Sequence, residues 1–207
     1  PGAFQEKKTR ADAAVETAQF GMEARFDFPD DTSFPDVNIY DSAVNDAPIP
    51  DMVRLGVAMI DAVVAHTPAI LCEAGVSRGI VTVKLLNSRG GAAEYRKSYF
   101  ALDLEGNVIE GTDMLFVGES DSSCHPLDDI TRVTGPVLRQ LGLAKNRARV
   151  PTRQMPVILT PKGVTSLMMP LRSAFNGKTV LEGASPLGDK VGSPAFDPKF
   201  TLEDNPL

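Results

Sequence analysis

Between residues 69 and 120 the apolar residues recur at every second position, and this period of two limits the possible folds more than any other feature of the sequence. Its two segments read ILCEAGVSRGIVTVKLLNS and AEYRKSYFALDLEGNVIEGTDMLFVGES. Both are rich in the β-branched and aromatic residues that favour strands, and two tetrapeptides, SRGG between the segments and LEGN inside the second, are typical of turns. We therefore predict an antiparallel meander that reverses at both tetrapeptides, with residues 81–86 pairing with 95–104 about a turn at 87–91.

The segments before the meander predict two helices and an extended connection. Residues 51–67 have apolar side chains three or four positions apart and are followed by Pro68, which predicts a helix; those side chains are Val53, Val57, Ile60 and Val64. Residues 6–24 are rich in Ala, Glu and Lys, so we expect a helix that packs closely through small side chains. The Pro, Asp, Ser and Asn residues of 25–50 predict an extended segment with little regular structure.

Two helices are predicted after the meander, and each has a proline in its interior. In the first, at 126–145, Gly135 and Pro136 should break or kink the helix. The second begins at the N-cap Thr160 and ends at Asn176 and Gly177, although Pro170 costs about 3 kcal/mol in a helix interior. Short strands are predicted before and after this second helix, at 157–159 and 200–202.

The charge and composition of the chain exclude several classes of function. The 207 residues include 21 Lys and Arg against 27 Asp and Glu, and no basic stripe is present to neutralise phosphates. Direct nucleic-acid binding is therefore not expected. No apolar run approaches the roughly 18 residues of a membrane span, and we expect a soluble, cytoplasmic chain with Cys72 and Cys124 reduced.

The final 25 or so residues contain a pattern that resembles the TldD/PmbA family. Members of that family carry a small-residue loop with the pattern Ser-x-Leu-x-x-x-Val/Leu-Gly, followed by Thr-Leu-x-Asp-x-Pro. The matching residues in this chain are Ser185, Leu187, Val191, Gly192, Thr201, Leu202, Asp204 and Pro206. The strand end VKLLNSRG is similar to an Asn-Ser-x-Gly strand end in the first half of the family, although this shorter match is less specific.

The resemblance implies an α+β fold, in which an antiparallel sheet with packed helices precedes the start of a β-rich second domain. We expect residues 1–150 to form part of the first and middle region of the family, and 151–207 the start of its carboxy-terminal domain. Because family members are more than twice as long, we expect the chain to be a piece of a longer protein.

The resemblance also bears on metal binding, since the family has two kinds of subunit. The TldD-like kind is a zinc metallopeptidase with His-Glu-x-x-x-His on the helix before the loop. In this chain the corresponding residues are Met169, Pro170 and Ala174, and none of them supplies a zinc ligand or a general base. The chain therefore resembles the PmbA (TldE) kind, which implies no catalytic, cofactor-binding or metal-binding residue, a TldD-like metallopeptidase subunit as partner and unfolded peptide as substrate. A homo-oligomer is also expected.

Two alternatives receive less support from the sequence. The chain could be a free-standing binding or scaffold protein of the "modulator of DNA gyrase" type, without peptidase activity. Cys124 and His125, with Cys72 and His66, could form a zinc site or a thiol–imidazole pair, but no carboxylate is spaced to join them. The acidic pairs read as solvated turns or a helix start, and they are Asp30 with Asp31 and Asp128 with Asp129.

Overall fold

The computed structural model describes residues 2–21, 27–146 and 148–203, and it divides into two compact units, Pro1–Asn146 and Arg147–Leu207. We refer to them as unit 1 and unit 2. Unit 1 contains α1 Gly2–Ala18, α2 Ala43–Asp46, α3 Ile49–His66, β1 Leu71–Leu86, β2 Ala92–Glu110, β3 Asp113–Ser123 and α4 Thr131–Ala144. Unit 2 contains α5 Pro161–Ala174, α6 Gly177–Leu181 and a 3-10 turn at Gly188–Lys190. Within the described ranges, no helix is both long enough and apolar enough to cross a bilayer.

The three strands form one antiparallel sheet in the order β1-β2-β3, and helices pack on it, so the predicted α+β architecture is confirmed. The predicted hairpin is confirmed as well, with Val81 opposite Lys97 and Leu86 opposite Ala92. At its turn the side-chain oxygen of Asn87 accepts hydrogen bonds from the N–H groups of Arg89 and Gly91, at 2.9 and 3.0 Å. These bonds give the chain a local reason to reverse there.

The second predicted turn is wrong, because LEGN (104–107) lies inside β2. The chain reverses instead between β2 and β3 at Gly111, whose φ of +65° suits glycine. Gly106, which suggested a turn, serves close packing: a Cβ atom there would lie 2.5 Å from Cδ1 of the buried Ile70. A glycine inside a strand therefore marked a close approach of two elements.

The core of unit 1 lies on one face of the sheet. Alternate residues of β2 are buried along this face, and they are Ser98, Phe100, Leu102, Leu104 and Gly106. The buried side chains of α4 that complete the cluster are Val133, Val137 and Leu141. Alternate residues of β2 and residues of α4 three or four positions apart thus form a single apolar layer.

The helix predicted at 51–67 is confirmed as α3, but the residues whose spacing predicted it are not the ones that it buries. Met52, Met59 and Val63 are 8, 0 and 0% exposed, whereas Val53 and Val57 are 59 and 51% exposed. The helix carries two adjacent apolar stripes: the methionine stripe of Met52, Met59 and Val63, and the valine stripe of Val53 and Val57. Gly56 lies on the side that faces β1, where a Cβ atom would be 3.9 Å from a side-chain carbon of Val76. Close approach at this glycine favours the methionine stripe as the packed face.

Helix α4 begins at Thr131 and continues through Gly135 and Pro136, so the expected break is wrong. Asp129 accepts hydrogen bonds from the N–H and the hydroxyl of Thr131, at 2.9 and 2.6 Å, which confirms the interpretation of this aspartate as part of a helix start. Pro136 has no N–H to donate to the carbonyl of Arg132. Because Arg132 is exposed, water can replace this hydrogen bond. Burial of the apolar face on both sides of the proline holds the helix together.

The prediction for 6–24 is half right. A helix forms, but it ends at Ala18, and residues 9–18 are exposed, so the expected close packing is wrong for that part of the helix. A face made mostly of alanine methyl groups offers little apolar area to bury. The rest of the predicted range that follows residue 21 lies outside the described residues. The extended segment is confirmed at 27–41, and the four-residue helix α2 follows it.

In unit 2 the start of the predicted helix is confirmed, because the hydroxyl of Thr160 accepts a hydrogen bond from the N–H of Gly163 at 3.2 Å. The strands expected at 157–159 and 200–202 are wrong, since neither segment is extended into a strand in the structure. A strand needs a hydrogen-bonded neighbour, and within 148–203 these segments pair with none.

Candidate functional site

The carboxy-terminal half of α5 holds Met169, Pro170 and Ala174, which the resemblance aligns with the zinc motif of the TldD-like kind. Met169 is 63% exposed, Pro170 is exposed, and Ala174 is 6% exposed. A thioether is a poor zinc ligand, and neither proline nor alanine has a side chain that can donate electrons. Within the described part of the chain, no group of three or more His, Cys, Asp or Glu is placed to hold a metal ion. The residues of α5 therefore do not fit a zinc site.

The carbonyl of Ala174 is engaged by the loop that follows. The hydroxyl of Ser185 donates to this carbonyl at 2.6 Å and accepts from the N–H of Leu187 at 3.1 Å. One hydroxyl thus binds the loop to the end of α5, and we call these two hydrogen bonds the anchor of the loop. The resemblance singled out Ser185 and Leu187 without giving them a role, and the structure assigns both to this anchor.

Further contacts shape the same loop. Gly183 and Gly192 have φ angles of +68° and +78°, which only glycine adopts readily. The ring of Phe196 lies 6.1 Å from that of Phe175 and 5.3 Å from that of Phe200, measured between centroids, so the loop returns toward the end of α5. Among the other motif residues, Val191, Thr201 and Leu202 are exposed, whereas Asp204 and Pro206 lie outside the described residues.

Asn176 has a second role besides the one predicted. Its side-chain oxygen accepts hydrogen bonds from the N–H groups of Lys178 and Thr179, at 3.0 and 3.2 Å. It is therefore the N-cap of α6, in addition to following the last turn of α5.

A second group of polar residues meets in unit 1, around His125. Nδ1 of His125 lies 2.8 Å from Oδ2 of Asp41, a carboxylate that is far away in the sequence. Ser98, which is 5% exposed, accepts from the N–H of Asp41 at 2.8 Å and donates to the carbonyl of Cys124 at 2.6 Å. The contacts join the extended segment 27–41 to β2 and to the end of β3.

This group has the residue types of a hydrolytic triad without its geometry. The hydroxyl of Ser98 is bound to two backbone groups, so it is not the partner of His125. The hydrogen bond from His125, followed by that from the N–H of Ala43, lowers the pKa of Asp41. We assign the group a structural role, as a clamp. No local pattern predicts this clamp, because Asp41 and His125 are 84 residues apart.

The other residues of the alternative thiol site lie elsewhere. Nδ1 of His66 is 2.8 Å from the hydroxyl of Thr67 at the end of α3. Cys72 is half-buried in β1, and burial raises the pKa of its thiol. These two residues therefore do not join Cys124 and His125.

Unit 1 also contains a cleft of about 660 Å³ that the sequence did not indicate. It opens where the start of α3 meets β2 and the segment before α4. Its wall is largely apolar and includes Ala47, Pro48, Met52, Leu55, Phe100 and Leu127. Four charged residues, Asp46, Asp51, Arg54 and Asp128, also line it.

Comparison with known proteins found a matching family model for the end of the chain, a similar sequence and a solved structure with a similar fold. Residues 152–207 match the family described as PmbA/TldA metallopeptidase C-terminal domain. The uncharacterized protein MJ0231 of Methanocaldococcus jannaschii is 26% identical over 140 residues, which cover 66% of this chain and 32% of that protein. The crystal structure of TldE from Thermococcus kodakarensis shares the fold, with a TM-score of 0.69 and 18% identity, over 90% of this chain and 43% of that one. The chain thus spans less than half the length of either protein.

Proposed function

We propose that this chain, whose residues 152–207 match the PmbA/TldA metallopeptidase C-terminal domain, acts as a PmbA/TldE-like, non-catalytic subunit of a TldD/PmbA-type metallopeptidase complex. In this role it pairs with a TldD-like subunit that carries the metal, and it helps to enclose unfolded peptide. Residues 1–150 then correspond to the first and middle region of the family, and 151–207 to the start of its carboxy-terminal domain. The complex acts in the cytoplasm.

One observation carries this proposal, namely the state of α5 at the three motif positions. Ala174 is buried, and its carbonyl accepts the hydroxyl of Ser185, so this end of the helix is committed to holding the loop. Met169 faces water with a thioether, and Pro170 offers neither a carboxylate nor an N–H. A complex that needs one open zinc site obtains it from the homologous subunit.

Co-purification tests the proposal directly. The chain is expressed with a tagged TldD-like homologue from the same genome, and its retention on the affinity resin is measured. We expect the two chains to elute together, and we expect the peptidase activity of the homologue on an unfolded peptide to rise when the chain is added. A chain that passes through the resin and leaves the activity unchanged would contradict the proposal.

A matched control distinguishes specific pairing from non-specific adsorption. The same experiment with a tagged homologue from an unrelated genome should retain less of the chain, because pairing depends on complementary surfaces. Equal retention by both homologues would also count against a dedicated subunit.

A further inference from the structure

The cleft of unit 1 combines an apolar wall with an acidic rim. Met52 and Phe100 are 8 and 2% exposed and form part of its base, and Leu55 and Leu127 are half-buried beside them. Pro48 and Pro126 also line it, and neither has an N–H to offer a ligand. Its volume of about 660 Å³ lies within the range of small-ligand sites and accommodates one or two large side chains.

The charges at the rim do not balance. Arg54 is paired with Asp51, at 2.7 Å between Nη2 and Oδ1, on the same helix. Asp46 and Asp128 are exposed on the two sides of the cleft, one in α2 and one before α4. With one arginine against three aspartates, the lining carries a formal charge of −2. Such a rim favours a cation and disfavours an anion.

We propose that this cleft binds an extended peptide segment in which a bulky apolar side chain stands next to a lysine or arginine. The apolar side chain enters the cleft and packs on the half-buried Leu55 and Leu127, while the cationic side chain remains at the rim near Asp46 and Asp128. An apolar pocket alone would bind many apolar side chains, and the acidic rim adds specificity for peptides with a neighbouring cation. The inference deepens the proposed function, because it names the class of peptide that the subunit would hold.

A binding experiment on the whole chain tests the ligand class. Three fluorescein-labelled pentapeptides are titrated with the chain at low salt: Lys-Phe-Leu-Lys-Gly, Glu-Phe-Leu-Glu-Gly and Lys-Ser-Ser-Lys-Gly. We expect saturable binding of the first, and at least about tenfold weaker binding of the other two. Its affinity should fall as salt is added, because the rim charges are exposed. Equal binding of all three peptides, or no binding of any, would overturn the proposal.

Two variants locate the binding in the cleft. Asp46→Asn with Asp128→Asn should weaken binding of the first peptide by about three- to tenfold, as expected for the loss of two exposed charge pairs. Ala43→Trp, at an exposed lining position, should reduce it further by filling the cleft. The matched control is Asp61→Asn, an exposed aspartate of α3 that does not line the cleft, and it should bind as the unchanged chain does.

The variants can also give results that contradict binding in the cleft. If Asp61→Asn weakens binding as much as the double variant, the effect is general electrostatics and the proposal is wrong. If Ala43→Trp dissociates a self-assembled form and no peptide binds, a second copy of the chain occupies the cleft. Should a variant misfold, the series of three peptides on the unchanged chain still gives the answer. Binding of the first peptide without retention by a TldD-like homologue would keep this inference and contradict the proposed function.

Discussion

Ser185 connects two backbone groups that would otherwise lose a partner when the loop packs on α5. Replacing it with alanine leaves the carbonyl of Ala174, which is buried, and the N–H of Leu187 without this hydroxyl. The expected cost is about 1–3 kcal/mol in the free energy of unfolding of unit 2. Limited proteolysis measures it as faster cleavage in residues 183–199. Ser166→Ala, at an exposed position of α5, is the control and should leave the cleavage rate unchanged.

The clamp between Asp41 and His125 should make unit 1 sensitive to acid. The hydrogen bond from His125 lowers the pKa of Asp41 in the folded chain. A depressed carboxylate pKa stabilises the fold above the unfolded value of about 3.9, and this contribution is lost as the pH falls through the folded pKa. Urea midpoints measured from neutral pH to pH 3 should therefore fall less steeply for Asp41→Asn than for the unchanged chain.

A control on the same segment makes this comparison specific. Asp36→Asn removes an equal charge from an exposed position of the extended segment and should keep the steep acid response. If Asp41→Asn and the unchanged chain lose stability in parallel, the clamp makes no contribution to the pH dependence.

At the scale of single residues, sequence reasoning succeeded where the cause was local. Thr160 caps α5 through the N–H of a residue three positions later, and the side chain of Asn87 closes a five-residue turn. The clamp was missed because its members come from three separate segments. Ser98 gave no sign that it would be buried and bound to two distant backbone groups.

At the scale of elements, α3 gives the clearest test of which face is packed. Met59 is fully buried, so Met59→Ala should cost about 2–5 kcal/mol in the free energy of unfolding. Val57 is 51% exposed, and Val57→Ala is the matched control, with an expected cost below about 1 kcal/mol. Urea denaturation followed by circular dichroism measures both. Equal losses, or a larger loss for Val57→Ala, would show that the valine stripe is buried.

The elements also show why periodicity predicted the helices and strands but not all their boundaries. A period of two or of 3.6 residues is local, so the hairpin and α3 could be read from the sequence. Which of the two apolar stripes of α3 faces the sheet depends on the shape of the sheet surface, and the spacing of residues within the helix carries no information about that surface. Gly106 looked like a turn for the same reason, because its contact with Ile70 joins β2 to the residue before β1.

At the scale of the whole molecule, exposed apolar residues favour self-association of the isolated chain. In unit 2, Val157, Ile158, Leu181 and Val191 are 73, 96, 75 and 79% exposed. Because such groups are stabilised by burial, we expect a homodimer or larger assembly with contacts from residues 155–207. Light scattering at micromolar concentration should give at least twice the chain mass of 22.2 kDa.

A charged variant tests where the contacts lie. Ile158→Lys should lower the measured mass toward that of one chain, whereas Val53→Lys on α3 should not. A mass of 22.2 kDa for the unchanged chain, constant on dilution and in high salt, would contradict self-association.

The proposed role requires that the chain itself binds no zinc, and the zinc content of the purified chain tests this most directly. The isolated chain is dialysed against excess zinc and then against buffer, and bound zinc is measured by elemental analysis beside a homologue that carries His-Glu-x-x-x-His. The presence of Met169, Pro170 and Ala174 at the motif positions predicts far less than one zinc per chain, against about one in the homologue. About one zinc per chain, lost on chelation together with peptidase activity, would contradict the account.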